Sequence, residues 1–156
     1  TERSSRAPGE ERPICTVTST ATGTVQFHGT VVGEGHDFVM DEREAGGGTD
    51  AGPAPMRYYA AGIMGSNQVW IVKVAALHDL SLDRLEGEFA LYGSKADYTL
   101  SIDSPNSDQQ VRDLVDEVAK VRGNLSVMAG GRPINFTLKH NGQTIMEKVY
   151  TAKDSH

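Results

Sequence analysis

The sequence predicts an α+β fold in which antiparallel sheets pack around a long central helix. Three observations predict it. The elements read in the order ββ(β)αββαββ, with helices too few and too far apart for a parallel doubly wound sheet. The stretch Ala60 to Leu77 is apolar in most directions around its axis, as in a helix buried at the centre rather than laid on a surface. Asn141-Gly142 sits between two strand-like runs and is the strongest short hairpin signal a sequence offers.

Size and charge bound the rest. With 156 residues and 38% hydrophobic content, the chain suits a single domain from 14 to 156. Residues 1 to 13, TERSSRAPGEERP, have almost nothing apolar to bury and are expected to form a disordered tail. A net charge of −6 repels a polyphosphate backbone, so nucleic acid is not an expected partner. The longest apolar stretch is broken by Ser66, Asn67, Gln68 and Lys73, which argues against a membrane span, and no apolar segment opens the sequence as a signal peptide would. The single cysteine, Cys15, forms no intrachain disulfide, and a reducing cytoplasm is the simplest setting.

Taken in order, Ile14 to Val32 reads as two strands around a tight turn at Thr22 and Gly23, with Val25, Phe27, Gly29 and Val31 alternating against polar residues. Cys15 on the first of these strands reads as a small buried hydrophobe. A short strand from Asp37 to Met40 follows. Glu42 to Pro55, rich in glycine and proline, is a loop of about a dozen residues, longer than most connections and therefore a functional candidate. The long helix starts at Pro55, a favourable first-turn residue, and reaches Leu77, spanning roughly 34 Å at about 1.5 Å per residue. Gly62 and Gly65 weaken it by about 1 kcal/mol each, which the close approach of another backbone would explain.

Strands at Arg84 to Tyr92 and Ala96 to Asp103 come next. Ser107 and Gln110 then make a capping box, and Val111, Leu114, Val115, Val118 and Val121 form the apolar stripe of a second helix. After a glycine-containing loop, Ile134 to Lys139 and Thr144 to Tyr150 flank the Asn141-Gly142 turn.

The run His36-Asp37-Phe38-Val39-Met40-Asp41-Glu42, followed by Gly47-Gly48-Thr49-Asp50-Ala51-Gly52-Pro53-Ala54-Pro55, resembles the family of osmotically induced protein C and organic hydroperoxide resistance protein (OsmC/Ohr). There a strand ending in Asp leads into a similar glycine-proline loop and then into a long helix. The similarity in element order extends over most of residues 14 to 150. It implies an intertwined homodimer with two equivalent sites at the subunit interface, and a peroxidase reaction run by one cysteine in the first long helix and another after the second helix. Here the first cysteine position falls on Ser66, or on Asn67 with a one-residue shift. The glutamate expected near the helix start is Arg57, and the second cysteine falls within Arg122-Gly123-Asn124-Leu125. Peroxide reduction needs a thiolate, which a serine hydroxyl cannot replace.

The candidate site is therefore centred on Ser66 and Asn67, with Arg57 and His36 as further catalytic candidates and Tyr58, Tyr59, Trp70 and Asn124 as ligand-binding ones. Consecutive helical residues diverge by about 100°, so Ser66, Asn67 and Gln68 cannot all face solvent on a central helix. They either bind a ligand or satisfy groups within the fold. Arg57 opposes the helix dipole in the first turn, and either holds an anionic ligand or pairs with Asp50 or Glu42. His36-Asp37 reads either as an acid-base pair or as an ordinary strand start. His28, His36, His78 and His140 have no metal-ligand spacing, and no cofactor motif is present.

Two functions follow. One is an enzyme that acts on a small organic molecule in a dimer-interface pocket by polar or acid-base chemistry. The other is a noncatalytic protein that holds a lipophilic ligand there. A titratable residue within hydrogen-bond reach of Ser66 or Asn67 favours the first, and an apolar lining favours the second.

Overall fold

The computed structural model describes residues 9–121 and 124–154. Residues 1–8 of the expected tail, and Arg122 and Gly123 of the second cysteine position, lie outside them. The chain divides into two compact units, one ending at Pro55 and one beginning at Met56.

The first unit is a three-stranded antiparallel sheet of β1 (Val17–Ala21), β2 (Phe27–Val31) and β3 (His36–Met40), in that order. The turn between β1 and β2 is longer than the sequence suggested. Thr22 N–H donates to the Gln26 carbonyl across 2.9 Å, so Val25 lies in the turn and not in a strand. Cys15 is also misread as buried: it precedes β1 and is exposed.

Asp41, directly after β3, organises the long loop. Its carboxylate accepts from the backbone N–H groups of Glu42 (2.8 Å), Thr49 (3.2 Å) and Ala51 (3.1 Å), and from the Thr49 hydroxyl (2.8 Å). Gln26 Nε2 adds a fifth donor at 3.4 Å. The backbone donation from Ala51, helped by Thr49 and Glu42 and opposed by burial, holds the Asp41 carboxyl at about 2. The wrapped chain leaves no room at Gly48, where a Cβ would lie 1.9 Å from the Glu42 carbonyl oxygen. The Gly-Gly-Thr-Asp part of the loop is thus a backbone cage around one carboxylate.

The second unit holds the helix α1 (Pro55–Leu77) and a four-stranded sheet in the order β4 (Arg84–Leu91), β5 (Ala96–Asp103), β6 (Ile134–His140), β7 (Gln143–Tyr150). Between β5 and β6 lie α2 (Asp108–Val121) and a single-turn helix α3 (Leu125–Met128), which the sequence showed only as a loop. The β4–β5 and β6–β7 pairs are antiparallel, but β5 and β6 run parallel, from Ala96↔Ile134 to Ile102↔His140. The α2 crossover makes this possible, since a chain that leaves one end of a strand through a helix re-enters the sheet in the same direction.

Local signals behave as read. Ser107 N–H donates to Gln110 Oε1 (2.9 Å) and Gln110 N–H to Ser107 Oγ (3.1 Å), a reciprocal capping box. Asn141 and Gly142 both have positive φ, 48° and 81°, as a two-residue primed turn requires. Val111, Leu114, Val115 and Val118 of α2 are buried, whereas Val121 at its end is exposed.

The core lies between the helices and one face of the sheet, where Ala96, Tyr98, Leu100 and Ile102 of β5 alternate inward beside Ile134, Phe136 and Leu138 of β6. The ring contacts Phe89–Tyr98, Tyr98–Phe136 and Phe136–Tyr150, at 5.4 to 5.7 Å between centroids, cross the sheet from β4 to β7. The helix α1 buries Ile63, Ile71, Val74 and Ala75. Its opposite face is open and apolar: Val69 and Val72 are each 51% exposed, and Gly62 and Gly65 meet no atom within 4 Å of an added Cβ. Among the described residues, no close backbone meets these two glycines.

Candidate functional site

The middle of α1 presents three polar side chains in succession, and the fold separates them. Asn67 turns to the sheet, where its Oδ1 accepts from the Tyr98 hydroxyl at 2.7 Å. Tyr98 is 1% exposed, and burial pushes its phenol far above the ordinary tyrosine range, so it stays protonated and acts as a donor. That proton needs an acceptor inside the core, which fixes the amide with Oδ1 toward Tyr98 and leaves Nδ2 to point elsewhere. Gln68 packs on β4, where a Cβ at Gly87 would come within 2.8 Å of Gln68 Nε2 and 2.9 Å of Met64 Sδ. Gly87 is what lets α1 lie this close to the strand.

Ser66 falls at the boundary between the buried and open faces of α1. It is half-buried, and its hydroxyl has no hydrogen-bond partner among the described residues. Trp70, one turn on, packs on the core edge with Lys73 Nζ 4.5 Å from its ring centroid. The result is a hydroxyl and an amide on consecutive residues, beside an indole and bordering an apolar face.

The other predicted residues fall in several places. Tyr59 packs on the core and its hydroxyl donates to the Met128 carbonyl, which ties α1 to α3. Asn124 caps α3: its Oδ1 accepts from Ser126 N–H at 2.8 Å, and its Nδ2 donates to the Thr151 carbonyl. Both residues therefore have structural work. Arg57 and Tyr58 are exposed in the first turn of α1. His36 opens β3 in the other unit, exposed and opposite Val31. Among the described residues no cluster of three or more His, Cys, Asp or Glu could hold a metal ion, and no helix is long and apolar enough to cross a membrane.

One polar cluster had no signature in the sequence. His140, at the end of β6, is 2% exposed; its Nδ1 lies 2.7 Å from Asp108 Oδ1 and its Nε2 lies 2.8 Å from Ser104 Oγ. Ser104 and Asp108 are four residues apart, whereas His140 is distant in sequence and is brought to them by the parallel β5–β6 pairing. That pairing was the feature of the sheet the sequence did not reveal.

No family model and no curated protein sequence matches the chain. Solved structures do. An OsmC-like protein of Mycoplasma pneumoniae aligns with a TM-score of 0.64 at 15% identity, over 83% of this chain and 100% of that one. A Vibrio cholerae protein designated an organic hydroperoxide resistance protein, with captopril bound in one of its active sites, aligns at 0.59 and 16%, over 89% and 99%. The organic hydroperoxide resistance protein OhrB of Bacillus subtilis aligns at 0.56 and 20%, over 81% and 97%. Identities this low speak to architecture and not to activity. The chain thus has the fold of the OsmC and Ohr proteins, built here on a long helix that holds Ser66 and Asn67 at its middle and contains no cysteine.

Proposed function

We propose that this chain binds a small, largely apolar organic molecule bearing a hydrogen-bond acceptor, at the Ser66–Asn67–Trp70 border of α1, in a homodimer that covers the open face of that helix. The observation that carries the reading is the Tyr98–Asn67 hydrogen bond. It occupies the Asn67 acceptor and leaves the Nδ2 donors and the Ser66 hydroxyl as the polar groups available beside an indole. Donors next to an aromatic wall suit a carbonyl or carboxylate on an apolar body. The Vibrio cholerae neighbour, whose active site admits captopril, gives a precedent for an organic acid in this fold.

The dimer is supported by the apolar face formed by Tyr58, Gly62, Gly65, Val69 and Val72 at helical spacing. Close helix packing against a second copy would use the two glycines that nothing among the described residues approaches. Such a partner would also help a three-stranded sheet whose buried residues are few.

The catalytic version of this reading, with Ser66, Asn67, Arg57 and His36 acting on the bound molecule, needs a base. The titratable group that touches Asn67 is Tyr98, which burial keeps protonated, so the observed chemistry favours holding over turnover. Thiol peroxidase chemistry lacks its nucleophile on α1, and Cys15 lies exposed before β1. The test is decanoate binding to three proteins: the unaltered chain, Ser66→Ala, and Asn67→Asp, which keeps an acceptor for Tyr98 but removes the amide donors. A tenfold or greater loss in both variants supports the site, and unchanged affinity in both removes it.

A further inference from the structure

We propose that Ser104, His140 and Asp108 form a second reactive centre, separate from the α1 border, in which Ser104 is a nucleophile with its own base and takes up the acyl group of a small ester. The inference does not depend on the binding site proposed above.

The geometry is that of a serine relay. Ser104 follows the last residue of β5, Asp108 is the first residue of α2, and His140 ends β6. In the neutral ring, Asp108 Oδ1 at 2.7 Å from Nδ1 accepts the proton there and leaves Nε2 as the acceptor. Nε2 faces Ser104 Oγ at 2.8 Å, the position from which it can take the hydroxyl proton. The arrangement is braced. Asn141 binds the Ser104 backbone at both ends of its amide, accepting from Ser104 N–H and donating to the Ser104 carbonyl, each at 3.0 Å, and its Nδ2 lies 3.3 Å from His140 Nε2. Asn106 N–H lies 3.4 Å from Ser104 Oγ. Asn106 lies two residues before the fourteen-residue α2, and its N–H is the backbone donor shown beside the oxygen that would attack.

Burial sets the substrate class. Ser104 is 4% exposed and His140 2%, while the Asp108 side chain is 56% exposed. A centre closed in this way excludes bulky esters, so the ester proposed is a small one. In the reaction, Ser104 Oγ bonds to the carbonyl carbon and its proton passes to His140 Nε2. The carbon–alkoxide bond breaks, and the alkoxide leaves with that proton as the alcohol. Water then attacks the acyl-serine, giving its proton to His140, which returns one to Ser104 as the carboxylic acid departs.

The same contacts could serve only to lock the β6–β7 turn onto α2, in which case Ser104 is inert. Methanesulfonyl fluoride, a reagent small enough for a closed centre, separates the two: the Ser104 Oγ–sulfur bond forms, fluoride leaves, and the proton goes to His140. The folded protein is expected to acquire one adduct, mapped to Ser104 by peptide mass spectrometry, and the folded Ser104→Ala variant none. Asp108→Asn, at an exposed position where asparagine also suits a helix start, should keep its thermal midpoint and label at least a hundredfold more slowly. An unlabelled Ser104 in the folded protein overturns the proposal, as does labelling spread over surface residues. So does an equal rate in a folded Asp108→Asn variant.

Discussion

The hydroxyl of Tyr98, on the second strand of the large sheet, donates to Asn67 Oδ1 in the long helix across 2.7 Å. One buried donor thereby finds its acceptor, and the helix is fixed in rotation about its own axis. Replacing Asn67 by Ala strands the phenolic proton in the core and is expected to cost about 2 kcal/mol, whereas Tyr98→Phe, which frees an amide able to reach water, should cost about 1 kcal/mol. In urea unfolding, the double variant should fall short of the sum of the two, and strict additivity would show that the bond contributes nothing specific.

Asp41 gives a pH signature. Its folded carboxyl is depressed to about 2 from an ordinary value of 3.8. A depressed acid stabilises the fold above the unfolded value, and this contribution is lost as pH falls from about 4 toward 2. Protection of the Thr49 and Ala51 amides from exchange, relative to their intrinsic rates, should therefore fall across that window, since their N–H groups point at the carboxylate. Asp41→Asn should lack that protection at every pH, and a flat profile in the unaltered protein would contradict the cage.

Two glycine substitutions should have opposite effects. Gly48→Ala places a Cβ 1.9 Å from a carbonyl oxygen and is expected to disrupt the loop, lowering the thermal midpoint by several degrees. Gly65→Leu meets open space within one chain, so the monomer should keep its fold. Sedimentation should show the proposed homodimer weakened or lost, and an unchanged dimer would place the interface elsewhere.

What the sequence revealed depended on how local the determining interaction is. The capping box at Ser107 and Gln110, the Asn141-Gly142 turn and the alternation of β5 are each decided within a few residues, and each appears where read. The parallel β5–β6 pair is decided by the α2 crossover, and with it went the meeting of Ser104, Asp108 and His140, which no spacing announces. At the candidate site, the helix and its polar interruption were legible from composition alone. The partners were not, because Tyr98, the donor to Asn67, and Gly87, the glycine beneath Gln68, lie on strands about 20 to 30 residues away.

A peroxide assay checks the missing thiol. With cumene hydroperoxide and dithiothreitol, the protein is expected to consume no peroxide above the uncatalysed rate, and Cys15→Ser should leave that result unchanged. Turnover lost on Cys15→Ser would assign the exposed cysteine a role that its position before β1 does not suggest.

Trp70 is the single tryptophan of the chain and stands one turn from Ser66, so its emission reports on the proposed site without a label. Titration with decanoate should give a saturable change with one site per chain, weakened at least tenfold in Ser66→Ala and in Asn67→Asp. A linear, unsaturable response, or a saturable one that neither substitution alters, would contradict the proposal that this thiol-free helix binds an apolar acid at its middle.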